Sequence, residues 1–224
     1  MNTRKSPLAA ALLAATLMVA NFGAQAQEQA LTLGLAFINI NSKASDLRGP
    51  FTPPGANLKV DDATTLVFSY SRRVNDRYSL ELALGVPPKH DVQGTGALAG
   101  VGKIAEVKQF SPTMFVNYSF ADPKATVQPF VGVGFNYTSF FAGRSTPAGS
   151  NASGGPTSIT LTDSFGLAAQ AGLNWRIDER WFASAKIATA QVKSDLTSNS
   201  AGLVRTSTID FRPVVFAVSG GYRF

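Results

Sequence analysis

The chain has 224 residues, of which 45% are hydrophobic, and it carries a formal net charge of +6. It contains no Cys and a single His, which excludes disulfides and argues against zinc or redox-metal sites, so no cofactor and no metal are predicted. Its basic residues are scattered singly, without a cluster or a recognition helix, so the pI of about 9.7 does not indicate a nucleic-acid partner.

Residues 1–26 are predicted to be a cleaved signal peptide. A short basic region precedes the apolar run 8–20, and Ala24-Gln25-Ala26 supplies the small-x-small pattern of a cleavage site. The run is shorter than the ~20 residues of a membrane-spanning helix, which disfavours an anchor. The remaining chain, 27–224, is long enough for one sizeable domain.

Beyond the signal peptide, apolar residues alternate with small or polar residues at period two, which is typical of β-strands. In the clearest segment, Leu80, Leu82 and Leu84 share one face, whereas Glu81 and Ala83 share the other. The eight segments with this pattern are 31–37, 65–71, 78–86, 113–120, 131–138, 165–175, 181–188 and 214–224.

The connections between these strands are alternately long and short. Long connections are predicted at 41–59, 90–103, 142–158 and 194–206, and short ones at 74–77, 122–126 and 178–180. This order predicts an all-β fold, an eight-stranded antiparallel up-and-down barrel with short periplasmic turns and long extracellular loops. The segments 94–100 and 147–156 are rich in loop-forming residues, and we expect them to be flexible.

The size of the side chains on the two faces predicts a transmembrane barrel. Bulky residues occupy one face and mostly Gly, Ala, Ser, Thr and Asn the other, so a dry interior packed with the small face would contain voids. If the bulky face contacts lipid and the small polar face lines the interior of the barrel, there is no dry core that would contain voids. Aromatic residues also collect beside the short turns, as expected at a membrane interface. They are Tyr78, Phe120, Trp175, Trp181, Tyr222 and Phe224.

Several short motifs occur in a specific order along nearly the whole predicted mature chain. They are Glu81-Leu82, Val86-Pro87-Pro88-Lys89-His90-Asp91, Ser111-Pro112-Thr113, Pro129-Phe130-Val131-Gly132-Val133-Gly134, Asn136-Tyr137-Thr138, Phe140-Phe141, the run from Ser164 to Gly172, and Gly221-Tyr222-Arg223-Phe224. In this order and at this spacing, the chain resembles the OmpW family of outer-membrane proteins, which includes the AlkL-type hydrocarbon importers.

The resemblance implies a porin-like barrel that helps small hydrophobic solutes across the Gram-negative outer membrane and releases them sideways into the bilayer. The other expected partners are outer-membrane lipids and lipopolysaccharide, whose anionic groups suit the scattered basic residues. Tyr222 and Phe224, with the alternating strand before them, resemble the signal recognised by the barrel-assembly machinery.

The inward-facing charges form the first candidate site. Glu81 requires a cation in a narrow lumen, and Lys186 lies four strands round the barrel, hence opposite. Arg176 points inward near the periplasmic end, as do Arg73 and Arg223. We consider either a charge cluster that closes the lumen to polar solutes or a structural network that merely fills the barrel, and the second interpretation is favoured.

Two further pairs are candidates for the transport path. Ala83 and Ala188 are small inward residues at mid-depth, which predicts a wide lumen rather than a narrow apolar constriction. Pro87 and Pro88 donate no ladder hydrogen bonds, so they mark either a lateral opening or, more commonly, a strand end.

A lipid-modifying barrel enzyme is the least favoured function. His90, beside Asp91, is the single candidate base, but no inward Ser is matched to it, so we predict a surface histidine and no catalytic residue. A structural or stress-linked barrel without transport remains the main alternative to a transporter.

Overall fold

The computed structural model describes residues 28–224. The signal peptide predicted for residues 1–26 lies outside the described residues, so it stays a prediction. Among the described residues, no helix is long and apolar enough to cross a membrane.

Eight strands form a closed antiparallel barrel, as the alternating pattern predicted. With strands numbered in chain order, the wall consists of β1 (Gln29–Ile40), β4 (Ala63–Arg73), β5 (Tyr78–Gly85), β8 (Thr113–Ser119), β9 (Val127–Ser145), β11 (Ser164–Arg176), β12 (Trp181–Ala190) and β15 (Pro213–Arg223). Each strand pairs with the next, and β15 pairs with β1. At this seam, Gln29 and Phe224 exchange backbone hydrogen bonds of 3.2 and 2.9 Å.

The outer face of the wall is apolar and exposed. Leu33 and Phe165 have 64% and 70% of their surface free, whereas Ala36 and Ala217 on the inner face are buried. Lipid replaces water around this face in a membrane, so the exposure is what a transmembrane barrel requires. Aromatic side chains contact one another beside the short turns, for example Trp181 and Tyr222, whose ring centroids are 5.0 Å apart.

The four long connections occur as predicted, but they are not loops throughout. Parts of all four form a second set of antiparallel strands that lengthens the wall beyond the membrane, here named the extracellular extension. It comprises β2 (Lys43–Ala44), β3 (Ala56–Val60), β6 (Lys89–Gly96), β7 (Lys103–Phe110), the upper part of β9, β10 (Thr157–Leu161), β13 (Lys193–Ser200) and β14 (Leu203–Asp210).

The extracellular extension reverses the polarity of the membrane section. In β1, Leu35 and Phe37 point outward, but beyond them Ile38 and Ile40 point inward and are buried. Water surrounds the extension, so its apolar residues turn to the inside, as in a soluble barrel. Its core contains Ile38, Ile40, Leu58, Val60, Val92, Ala105, Val107, Val192, Leu196, Ile209 and Phe211. The sequence predicted loops for these strands because their outer faces are polar.

The two segments expected to be flexible also have regular structure. Pro147–Ser153 forms a short helix, α1, which begins where the hydroxyl of Thr146 accepts a hydrogen bond of 3.1 Å from the N–H of Gly149. Gly154 ends α1 in a left-handed conformation. In the other segment, Gly94 and Gly96 belong to β6, and Ala99–Val101 forms a 3₁₀ turn.

Close approach of β1 and β15 requires glycine at position 34. A Cβ added there would overlap the carbonyl oxygen of Val218 and lie 2.5 Å from the Cβ of Ser219. At Gly220, which faces lipid on the adjacent strand, an added Cβ meets no atom within 4 Å.

We therefore expect Gly34→Ala to lower the free energy of unfolding by roughly 1–3 kcal/mol, the usual cost of overpacking. Gly220→Ala is the matched control and should be close to neutral. The measurement is urea unfolding in lipid vesicles, followed by Trp fluorescence. Equal midpoints for the two variants would contradict the close approach.

Candidate functional site

A layer of four polar side chains crosses the lumen near mid-depth. Glu81 contacts the ammonium of Lys186 across the barrel, as the strand order predicted. Asn117 Nδ2 and Gln170 Nε2 donate to Glu81 Oε2 at 2.9 and 2.8 Å, and Gln170 also donates to Asn117 Oδ1 at 2.7 Å. Glu81 is 5% exposed, so the ion pair and the two amides replace its lost water. We name these residues the polar layer.

Above the polar layer the lumen is an apolar cavity. Its empty space, counted together with the adjoining open solvent, is about 1130 Å³. Ala83 and Ala188 border it, as does Phe115, and the core of the extracellular extension forms its ceiling. Below the layer lies a separate polar cavity lined by Ser71, Asn174, Ser184 and similar residues. The polar layer thus divides an apolar upper lumen from a polar lower one.

The barrel wall is interrupted beside the apolar cavity. Between β4 and the β5–β6 segment, the last backbone bond of the membrane section joins the N–H of Val86 to the C=O of Leu66 at 2.9 Å. Backbone bonding resumes where the N–H of Asp61 donates to the C=O of Asp91 at 2.9 Å. Pro87-Pro88 lies within this stretch, here named the wall gap. Prolines have no N–H to donate, so the gap leaves fewer groups unsatisfied than other residues would.

The apolar cavity reaches the outer surface of the barrel at the wall gap. Phe68 and Leu84 are paired across β4 and β5 just below the gap and belong to the outer face. Both border the cavity, together with Gly85 and Pro88. The cavity is therefore lined by residues from both faces of the wall at this point.

A second apolar pocket lies in the extracellular extension, here named the outer pocket. Leu58, Val92 and Leu196 belong both to the core of the extension and to the lining of this pocket. Val60 and Ile209, which are each 1% exposed, border neither this pocket nor the cavity below. Packed apolar side chains therefore separate the two spaces.

The predicted arginines lie at the periplasmic end, away from the polar layer. Arg73 Nη2 and Arg223 Nε contact the carboxylate of Glu28 at 3.2 and 3.0 Å, and Arg223 also stacks on the ring of Phe182. Arg176 ends β11, half-buried, and borders neither lumen cavity. The structure therefore does not bring Arg176 together with Glu81.

The structure also corrects the prediction for His90. The side chain is 1% exposed because β6 turns it inward with Val92. Its Nδ1 lies 2.9 Å from the carbonyl oxygen of Asp61, so this nitrogen carries the proton, and Nε2 has no partner among the described residues. Burial lowers the pKa of His90 below its ordinary value of 6.5, against the opposing effect of Asp61 and its neighbours.

Sequence reasoning missed the partners of Glu81 and the apolar ceiling. Asn117 and Gln170 appeared as members of the small polar face, and their register with Glu81 depends on how the strands stagger. The ceiling had a visible signal, since Phe37-Ile38 breaks the strict alternation of β1. Such a break marks the level at which a strand leaves the membrane.

Comparison with known proteins agrees with this architecture. Residues 26–224 match the model of the OmpW family. The chain belongs to the OmpW family. Outer membrane protein W of Vibrio cholerae is 32% identical over 170 residues, which are 75% of this chain and 77% of that protein. This relationship and the barrel place the protein in the Gram-negative outer membrane.

Two further relatives bear on the structure and function of this OmpW-family chain. The crystal structure of outer membrane protein OprG from Pseudomonas aeruginosa superposes with a TM-score of 0.82 at 26% identity, covering 90% of this chain and 98% of OprG. A Pseudomonas aeruginosa protein named dibenzothiophene metabolism operon protein PahQ is 25% identical over 174 residues, 76% of each chain.

Because His90 is buried in its neutral form, we predict that low pH lowers the stability of the extracellular extension. The unfolded chain binds the proton more readily than the folded one, so stability falls as the pH drops below about 6.5, the ordinary value. Amide exchange of peptides 59–66 and 87–94, corrected for intrinsic rates, should be faster at pH 5 than at pH 7.5.

The matched control is His90→Asn, whose amide can donate to Asp61 but does not titrate. Nearby Glu106 stays ionised throughout, since hydrogen bonds from Lys103 and Lys89 lower its pKa to about 2. An acid effect of equal size in His90→Asn would show that another group is responsible.

Proposed function

We propose that this OmpW-family barrel carries small hydrophobic molecules through the outer leaflet and releases them sideways into the bilayer. The observation that supports this proposal is the shape of the apolar cavity, which has a charged floor and an interrupted side wall. For an apolar solute in the cavity, the route through the wall gap is also apolar. The direct route downward crosses the polar layer.

The polar layer makes the downward route costly for an apolar solute. To pass, the solute must separate Glu81 from Lys186 and displace the amides of Asn117 and Gln170. Breaking a buried ion pair by losing one partner typically costs about 3–5 kcal/mol. Ala83 and Ala188 take part by leaving space above the layer, where larger side chains would fill it.

The wall gap offers a cheaper exit. Opening a complete antiparallel ladder to lipid exposes backbone groups that hydrocarbon does not satisfy. At Pro87 and Pro88 two N–H groups are absent and the ladder to β4 is already interrupted. Release into the bilayer is also favourable for an apolar solute, because transfer of each CH₂ group from water to an apolar phase gains about 0.8 kcal/mol.

The name of one relative supports an apolar cargo. The similarity to a dibenzothiophene metabolism operon protein connects this chain to a relative from an operon named for an apolar aromatic sulfur heterocycle. The proposal extends to three other features. Residues 1–26 are removed as a signal peptide, Tyr222 and Phe224 guide the barrel-assembly machinery, and exposed basic residues contact lipopolysaccharide.

Filling the exit should abolish transport while the barrel still folds. Gly85 borders the cavity at the wall gap, and a Cβ there would meet its nearest atoms at 3.5 Å, an ordinary contact. In Gly85→Phe the added ring should occupy the opening. Uptake of labelled octane into cells should then fall toward the rate of cells without the barrel.

Gly220→Phe is the matched control. Gly220 lies on the outer face of the wall, so the added ring points into lipid. Its uptake should equal that of the unmodified protein. If the unmodified barrel gives no more octane uptake than empty cells, the protein is a structural barrel without transport.

The polar layer should also limit ion flow. In Glu81→Gln, Lys186 loses its counter-ion and attracts water and anions into the lumen, so single-channel conductance in planar bilayers should rise. The double variant Glu81→Leu/Lys186→Leu replaces the pair with an apolar seal and should conduct as little as the unmodified protein. Unchanged conductance in Glu81→Gln would mean that the network only fills the barrel.

A further inference from the structure

The outer pocket contains one buried cation among apolar side chains. Arg205 lies on β14 and faces inward with Ser207 and Ile209, and it is 8% exposed. Among the residues lining the pocket it is the single charged one. The apolar lining consists mainly of Leu47, Phe51, Leu58, Val92, Leu98, Ile104, Ala105, Ile159 and Leu196.

The guanidinium of Arg205 is poorly satisfied within the protein. Its one side-chain hydrogen bond among the described residues runs from Nη1 to the carbonyl oxygen of Ser153 in α1, at 3.4 Å. No carboxylate of the described residues lies within ion-pair distance of it. A buried charge without a partner is costly, because a guanidinium has five donors to satisfy. An anion entering the pocket would supply the missing acceptors.

The geometry points to a ligand with a single carboxylate on an apolar body. A carboxylate accepts two parallel hydrogen bonds from the planar guanidinium, and one negative charge balances one arginine. A phosphate dianion would keep a second charge uncompensated in an apolar pocket. The hydroxyl of Ser198 also lines the pocket and offers a further donor beside Arg205.

We propose that the outer pocket binds amphipathic monocarboxylates, such as medium-chain fatty acids, with the carboxylate on Arg205 and the chain against the apolar lining. The pocket shares Leu58, Val92 and Leu196 with the core that caps the lumen cavity. Bound at this point, the ligand lies on the extracellular side of the packed core that separates the outer pocket from the lumen cavity. A role of this ligand in uptake rests on the proposed function, whereas its binding to the outer pocket can be measured independently.

The direct test compares octanoate with octanamide, its neutral analogue, on the full barrel in lipid nanodiscs, with empty nanodiscs subtracted. Calorimetry should show octanoate binding about tenfold or more tightly than octanamide, the range expected for a hydrogen bond to a charged group. In Arg205→Gln this preference should disappear while octanamide affinity stays the same. Equal affinity for both probes in the unmodified protein would overturn the proposal.

A second variant keeps Arg205 and blocks the site from within. Ser198 lies directly opposite Arg205 in the β13–β14 ladder, and both side chains face inward. In Ser198→Asp, a carboxylate one strand away pairs with the guanidinium, so octanoate binding should be lost. Ser198→Asn has the same shape without the charge and should keep the preference. Loss of binding in both variants would contradict the charge argument.

Octyl phosphate and octane separate the remaining outcomes. If octyl phosphate binds as tightly as octanoate, the pocket selects anions in general and the monocarboxylate assignment is wrong. Octane uptake in Arg205→Gln should match the unmodified protein, since an alkane has no group for the guanidinium. In the unmodified barrel, normal octane uptake without an octanoate preference would overturn the carboxylate site alone, whereas absent octane uptake would overturn the proposed function.

Discussion

Hydrocarbon offers no hydrogen-bond partner to the peptide backbone, and this constraint shapes the membrane section of the barrel. It requires a closed wall, so the last strand returns to the first and no edge faces lipid. It also dictates where the wall is able to open. The interruption occurs at Pro87-Pro88, where two N–H groups are missing and where the wall passes from the membrane section to the extracellular extension.

The polarity of the surroundings decides what each strand shows to its two sides. Below Phe37 the bulky side chains of β1 face lipid, and above it Ile38 and Ile40 face a buried core. The barrel therefore contains two opposite patterns stacked end to end. The apolar cavity lies where they meet, between the core of the extension and the polar layer that includes Glu81.

The sequence predicted the membrane section well because lipid demands bulky apolar residues at every second position. It predicted the extension poorly, since strands such as Lys193–Ser200 combine a polar outer face with small inner residues and so resemble loops. The Glu81–Lys186 contact followed from strand order alone. The contributions of Gln170 and Arg205 depended on stagger between strands distant in the chain, which composition and periodicity do not specify.

The seam between β1 and β15 has a consequence for biogenesis. It joins the first and last strands of the barrel, so the wall has an unsatisfied edge until the last strand arrives. Contacts between such distant residues form slowly, because the intervening chain must be ordered first. The core of the extension draws Val60, Val107 and Ile209 from widely separated strands. We therefore expect this core to consolidate only after the seam has joined, which makes the extracellular end the last part of the molecule to mature.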